Sequence, residues 1–198
     1  MTRHIGIDAS KNGTAVCVKT DKWCYFYTLT AHISKKITNF TYTDNGFTVV
    51  VDRIPDEWKE LDDFECLKTI ADKIFSSISN LIDDNTKFYF EGYSMAGSGR
   101  ITMLAELTSL LKNHIYNSGC KINGIYAPSS VKKHVGGKGN LKKDEIYERA
   151  WDDEDLNKFK ESVAEQGHGW KNNCWMSDVL DSWAVCQMGI KSENGEIK

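Results

Sequence analysis

Four acidic residues stand where chemistry on a phosphodiester would need them. Asp8 closes the run Ile5-Gly6-Ile7, Glu91 closes Phe88-Tyr89-Phe90, and Asp178 and Asp181 lie together in SDVLDSW. A carboxylate taken out of water at the end of an apolar strand costs on the order of several kcal/mol unless something pairs with it. Asp178 and Asp181 are three residues apart, which makes them neighbours on one helical face. Carboxylates gathered that closely repel unless divalent cations neutralise them. An all-oxygen donor set selects Mg²⁺, with Mn²⁺ as a substitute, over zinc. Two such ions about 3.5 to 4 Å apart activate a water and stabilise the leaving oxygen of an in-line phosphodiester cleavage. Each acid alone has a plainer reading as a cap, turn or ion-pair residue, and Asp178 near a helix start fits the macrodipole without a metal. Their order and contexts favour Asp8, Glu91, Asp178 and Asp181 as catalytic, metal-ligating residues.

The elements that must position these acids are legible in the periodicity. Residues 4–30 alternate as three meandering strands, HIGIDAS, GTAVCVKT and KWCYFYTLT, with Gly13 and the 20–22 step as turns. NFTYTDNGFTVVVDRI reads as a hairpin turning at Asn45-Gly46. Leu67, Ile70, Ile74, Ile78 and Leu81 recur at helical spacing, predicting a helix from about Glu60 to Ile82. The strand KFYFEG follows, then a helix over 101–116, the strand CKINGIYAP, a short helix from Ser129, a glycine-rich loop, a helix near 142–151 and an acidic surface helix over 152–165. A last helix is expected from Ser177 as N-cap. Strands in a meander followed by strands alternating with helices predict an α/β fold, a mixed sheet with helices on its faces. Acids at strand carboxyl ends sit where such sheets gather their sites.

Composition sets limits around this. The 198 residues predict one domain, 1–198, with insertions near 31–57 and 152–175. A net charge of -3 means that any polyanion binds a local patch rather than the whole surface. The six cysteines form no Cys-x-x-Cys pair and read as reduced, mostly buried thiols. No export signal and no apolar run of about 20 residues is present, so the expected location is cytoplasmic, or the host cytoplasm for a viral protein.

IGIDASKNGTAVCV, FYFEGYSMAGSGR, PSSVKKHVGGKGNLKKDEI and SDVLDSWAVC together resemble the RuvC Holliday junction resolvases of the RNase H-like superfamily, in a form like a phage or viral member. The resemblance spans the first twenty residues and most of 87–190. It implies an RNase H-like fold with a mixed five-stranded sheet, a homodimer, and Mg²⁺-dependent paired nicking of four-way DNA junctions in recombination and repair. It also implies that Asp8, Glu91, Asp178 and Asp181 form the acidic site, with two ions in each. Lys132 and Lys143 occupy positions at which the family's lysines approach DNA phosphates.

Between Pro128 and Arg149 stand Lys132, Lys133, Lys138, Lys142, Lys143 and Arg149, the positive patch that overall charge did not advertise. Contacts of this kind position a duplex without reading its sequence and make binding salt-sensitive. Gly136, Gly137 and Gly139 would let the backbone approach phosphates. A charged run is more often a solvated helix face; beside the acidic constellation the DNA-binding reading prevails. After Glu91, Tyr93 and Met95 are candidate wedges between bases, Ser94 and Met95 standing where bacterial relatives carry an aromatic, and Arg100 is a candidate phosphate contact. His168 and Cys174 fall short of the four ligands of a structural zinc site, and His114 and His134 are read as structural. Three other functions compete: broader cleavage of forks and flaps, an actin-like ATPase, and a non-catalytic RNase H-like binding module. The chain is short for a two-lobed ATPase, and retained acids would only cost a binding module stability.

Overall fold

In the computed structural model, residues 1–31, 39–92, 98–139, 145, 153–165 and 174–197 are described. The strands are β1 (Arg3–Asp8), β2 (Gly13–Lys19), β3 (Cys24–Thr30), β4 (Asn39–Asp44), β5 (Phe47–Arg53), β6 (Thr86–Glu91) and β7 (Ile122–Tyr126). The helices are α1 (Asp63–Ile78), α2 (Ser98–Asn117), α3 (Pro128–Gly136), α4 (Glu154–Glu165) and α5 (Cys174–Glu193). All seven strands form one sheet in the order β4-β5-β3-β2-β1-β6-β7.

The first three strands pair antiparallel, as their short turns require. β6 and β7 then join parallel, each reached through a long connection containing a helix. The hairpin turns at Asn45 (φ 35°) and Gly46 (φ 81°), the two successive left-handed residues of a type I′ turn. The mixed, helix-flanked sheet is as expected, but it has seven strands rather than five because β5 also pairs parallel to β3. The inserted hairpin therefore extends the main sheet. Asp52 of β5 fastens it to α1, accepting a 2.8 Å hydrogen bond from the Tyr27 hydroxyl and lying 3.0 Å from the Lys73 ammonium.

Alternation divides the core into two layers. Ile5, Ile7, Val16, Val18, Tyr27, Leu29, Phe88 and Phe90 face α1 and α2, burying Leu67, Ile70, Ile74 and Leu111. Ala15, Cys17, Phe26, Val49, Val51 and Tyr89 face α4 and α5, burying Phe159, Trp175, Leu180 and Val185. Fully burying one such side chain stabilises by about 1.5 to 3 kcal/mol. α1 begins later than the periodicity predicted because the Asp62 carboxylate accepts from the Glu65 N–H at 2.9 Å and caps it there, while 56–60 forms a separate 3₁₀ turn.

Two expectations change at the carboxyl-terminal end. The acidic helix α4 buries Leu156, Phe159, Ser162 and Val163 and covers the hairpin side of the core, with Asp155 paired to Lys19, so it is not a purely surface element. The last helix starts at Cys174, so Ser177 is not its cap and Asp178 lies beyond its first turn, which weakens the macrodipole account of that acid. Cys17, Cys24, Cys66, Cys120 and Cys186 are free and buried, as expected. His114 has the structural role read for it, pairing with Asp72 at 2.8 Å and stacking on Phe75. No helix among the described residues is long and apolar enough to cross a membrane. Of the helix expected near 142–151 only Glu145 is described, and it is helical; the rest of that segment and His168 lie outside the described residues.

Candidate active site

β1, β3, β5, β6 and β7 all run in one direction, so their carboxyl ends share one edge of the sheet. Asp8 is the last residue of β1, on the face occupied by α5. Glu91 is the last residue of β6. The register Ile7↔Phe90 leaves these two acids as the next residues on neighbouring strands, and alternation past Phe88 and Phe90 places Glu91 on the α5 side as well.

Helix α5 brings the other two acids in. It lies against β1 where Gly6 has no side chain: a Cβ there would stand 2.3 Å from the Ser182 carbonyl oxygen and 2.4 Å from the Cys186 nitrogen. The Cys186 thiol adds a 3.3 Å contact to the His4 carbonyl. Further along, Gly189 admits the Tyr89 ring in the same way. With the helix seated, carboxylate oxygens of Asp8, Asp178 and Asp181 all lie within 4.8 Å of one another, each residue half-buried. Glu91 is not a member of that trio. The Ser177 hydroxyl donates to Asp178 Oδ1 at 3.3 Å.

A cation held among these three carboxylates would offset their mutual repulsion. Two unit charges about 4 Å apart repel by about 1 kcal/mol in water and about 4 kcal/mol at an effective dielectric near 20. The donors are all carboxylate oxygens, the set that Mg²⁺ and Mn²⁺ prefer. Their convergence, half-buried beside a glycine, fits such an ion. The turn between β1 and β2 is fixed by several hydrogen bonds. Gly13 N–H and the Thr14 hydroxyl donate to the Ser10 carbonyl at 3.3 and 2.7 Å, and Ala31 N–H donates to the Asn12 carbonyl at 2.8 Å.

α3, which carries Lys132 and Lys133, starts near the strand end on which Glu91 stands. β7 pairs Tyr126 with Glu91, Gly92 N–H donates to the Tyr126 carbonyl at 2.7 Å, and α3 starts two residues later at Pro128. On and just after α3, Lys132 is half-buried and Lys133 and Lys138 are exposed. Gly137 closes the helix in the left-handed conformation (φ 80°), its N–H donating to the Lys133 carbonyl at 2.8 Å, so a backbone role accounts for this glycine. Burial first, then the charge of Lys191 in the last turn of α5, holds the His134 imidazole below its ordinary range. Lys143, Tyr93 and Met95 lie outside the described residues, and Arg100 falls on α2. A cleft of about 420 Å³ lined by Asn39, Asp52, Arg53, Trp58 and Lys73 lies at the hairpin, not at the acids.

No family model matches the sequence, and no curated protein is significantly similar to it. Solved structures do match. RuvC from Thermus thermophilus superposes with a TM-score of 0.55 at 13% identity, covering 96% of this chain and 95% of that one. The T. thermophilus RuvC complex with Holliday junction substrate gives 0.57 at 11% identity, covering 98% and 97%. The yeast mitochondrial Holliday junction resolvase Ydc2 gives 0.55 at 12% identity, covering 98% of this chain and 82% of that one. The fold is therefore that of RuvC, an RNase H-like mixed sheet flanked by helices, here with the additional hairpin.

Proposed function

We propose that this chain is a divalent-metal-dependent endonuclease that resolves four-way DNA junctions by paired nicks, acting as a homodimer. The observation that carries the reading is the meeting of Asp8, Asp178 and Asp181 at the carboxyl edge of a RuvC-like sheet. Fold alone hosts many activities, so the weight rests on the site.

Asp8, Asp178 and Asp181 would hold Mg²⁺ or Mn²⁺, and Glu91, on the neighbouring strand end, is the fourth candidate ligand. The ions, when bound, supply activation of a water and stabilisation of the leaving oxygen. The chain's own residues do the rest. The half-buried carboxylates would hold the ions at the sheet edge, the place that the scissile phosphate must reach. Lys132, Lys133 and Lys138 on and after α3, with Lys143, Tyr93, Met95 and Arg100 as further candidates, hold a DNA arm through its phosphates and stacked bases. Paired nicks require two such sites facing the two strands of one junction, which is why a dimer belongs to the proposal.

The test is cleavage of a labelled synthetic four-way junction beside a linear duplex and a fork, with Mg²⁺, with Mn²⁺ and with EDTA, using wild type and Asp8→Asn. Metal-dependent paired nicks confined to the junction, lost in Asp8→Asn with junction binding retained, are expected. Equal cutting of the fork would replace the resolvase reading with a debranching nuclease. Absence of cutting on every substrate would overturn both.

A further inference from the structure

We infer that Gly13 is a positioning residue for the metal site, and that its missing side chain is what admits the Asp178 carboxylate to the trio; the inference rests on the metal-dependent reading above. Gly13 is the first residue of β2 and buried, paired with Thr30 of β3. A Cβ built on it would stand 2.1 Å from Asp178 Oδ2 and 3.1 Å from Asp178 Cγ, with Thr30 Oγ1 next at 3.7 Å. Those distances leave no room for both a methyl group and the carboxylate in its present place.

The glycine is not required by its backbone. Gly46, Gly119, Gly137 and Gly195 are the described glycines at positive φ, and Gly13 is not among them. An alanine could adopt the same conformation, so space rather than conformational freedom accounts for the residue. The strand cannot retreat to make that space. The turn before it is closed on Ser10, Asn12 is held by Ala31 N–H at 2.8 Å and by the Thr30 hydroxyl at 3.4 Å, and β2 pairs with β3 at Gly13 itself and with β1 from Ala15 onward. The obstacle facing a new Cβ is the far end of one side chain, and that side chain can rotate. Relief therefore comes from swinging the Asp178 carboxylate away, out of the 4.8 Å group that it forms with Asp8 and Asp181. Folding would lose little and ion binding would lose a donor.

The experiment is a cycle of wild type, Gly13→Ala, Asp178→Ala and the double variant, each measured for Mn²⁺ binding by calorimetry without DNA, for melting temperature, and for junction cleavage. Gly13→Ala should melt within about 4 °C of wild type, bind Mn²⁺ roughly 10- to 100-fold more weakly, the loss typical when a ligand's support is removed, and cut correspondingly slowly. In the Asp178→Ala background the same substitution should change neither metal affinity nor melting, because the group it strikes is gone. Wild-type Mn²⁺ affinity in Gly13→Ala would overturn the inference. So would additive losses in the double variant. If Gly13→Ala fails to fold, the double variant decides: recovery of folding supports the clash with Asp178, and continued misfolding overturns it. A wild type that binds Mn²⁺ but cuts no branched DNA would sink the resolvase reading and leave the metal cycle standing.

Discussion

Replacing Gly6 by alanine tests whether the seat of helix α5 sets the geometry of the acids. The added Cβ would lie 2.3 Å from the Ser182 carbonyl oxygen, 2.4 Å from the Cys186 nitrogen and 2.7 Å from the Cys186 Cβ. Two of these atoms are helix backbone, so no rotamer change relieves them. Reaching ordinary contact at 3.4 Å requires a displacement of about 1 Å (3.4 − 2.3). Overpacking of this sort costs typically about 1 to 3 kcal/mol, and a backbone obstacle places Gly6→Ala near about 3 kcal/mol. A domain stable by about 5 to 15 kcal/mol remains folded. Asp178 and Asp181 lie on the stretch of helix just before Ser182, so the same lift moves both away from Asp8. A misplacement of about 1 Å at reacting groups can cost roughly 100-fold in rate. Urea denaturation gives the first number and single-turnover junction cleavage below the melting range gives the second. A stability change under about 0.5 kcal/mol with unchanged cleavage would refute the packing argument. Lost stability with wild-type cleavage would refute the coupling between helix seat and site. Gly189→Ala offers the contrast: its Cβ would strike the Tyr89 ring at 2.4 Å, but it lies about 12 Å further along the helix from Asp181, so stability should fall with a smaller loss of cutting.

Other expectations are simpler to state. Changing Lys132, Lys133 and Lys138 together to alanine should weaken junction binding whatever the DNA sequence and reduce the slope of log affinity against log salt by about 0.9 for each phosphate contact removed; an unchanged slope places the DNA elsewhere. His4 and His134 are both held below the ordinary 6.5, in each case first by burial, which disfavours the charged ring. The unfolded chain then takes up protons first, so their contribution to stability is complete above about pH 6.5 and is lost as pH falls through the lowered folded values. The melting temperature should drop between pH 7 and pH 5, and the drop should shrink in His4→Gln/His134→Gln. A melting temperature that rises on acidification, or an unaltered drop in the double variant, contradicts this.

The sequence by itself determined what depends on near neighbours along the chain. Strict alternation in Ile5-Gly6-Ile7-Asp8 and Phe88-Tyr89-Phe90-Glu91 placed both acids at strand ends, on the face opposite the larger apolar side chains, and that face is the one α5 occupies. Spacing of three placed Asp178 beside Asp181, and Asn45-Gly46 announced its own turn. Tertiary structure decided what depends on distance between remote segments. That β5 docks parallel to β3 and lengthens the sheet follows from a pairing no local pattern encodes. The acidic segment 154–165 looked solvent-bound by composition, yet its few apolar residues lie on one helical face and close the core. Asp8, Asp178 and Asp181 meet because α5 can rest on Gly6, while the trio formed without Glu91 even though sequence order treated the four acids alike. Gly13 reads as a turn former along the chain; only the arrival of Asp178 from the far end of the sequence makes its missing Cβ the space a carboxylate fills. Periodicity reports which way a side chain faces, and packing alone reports what it meets there.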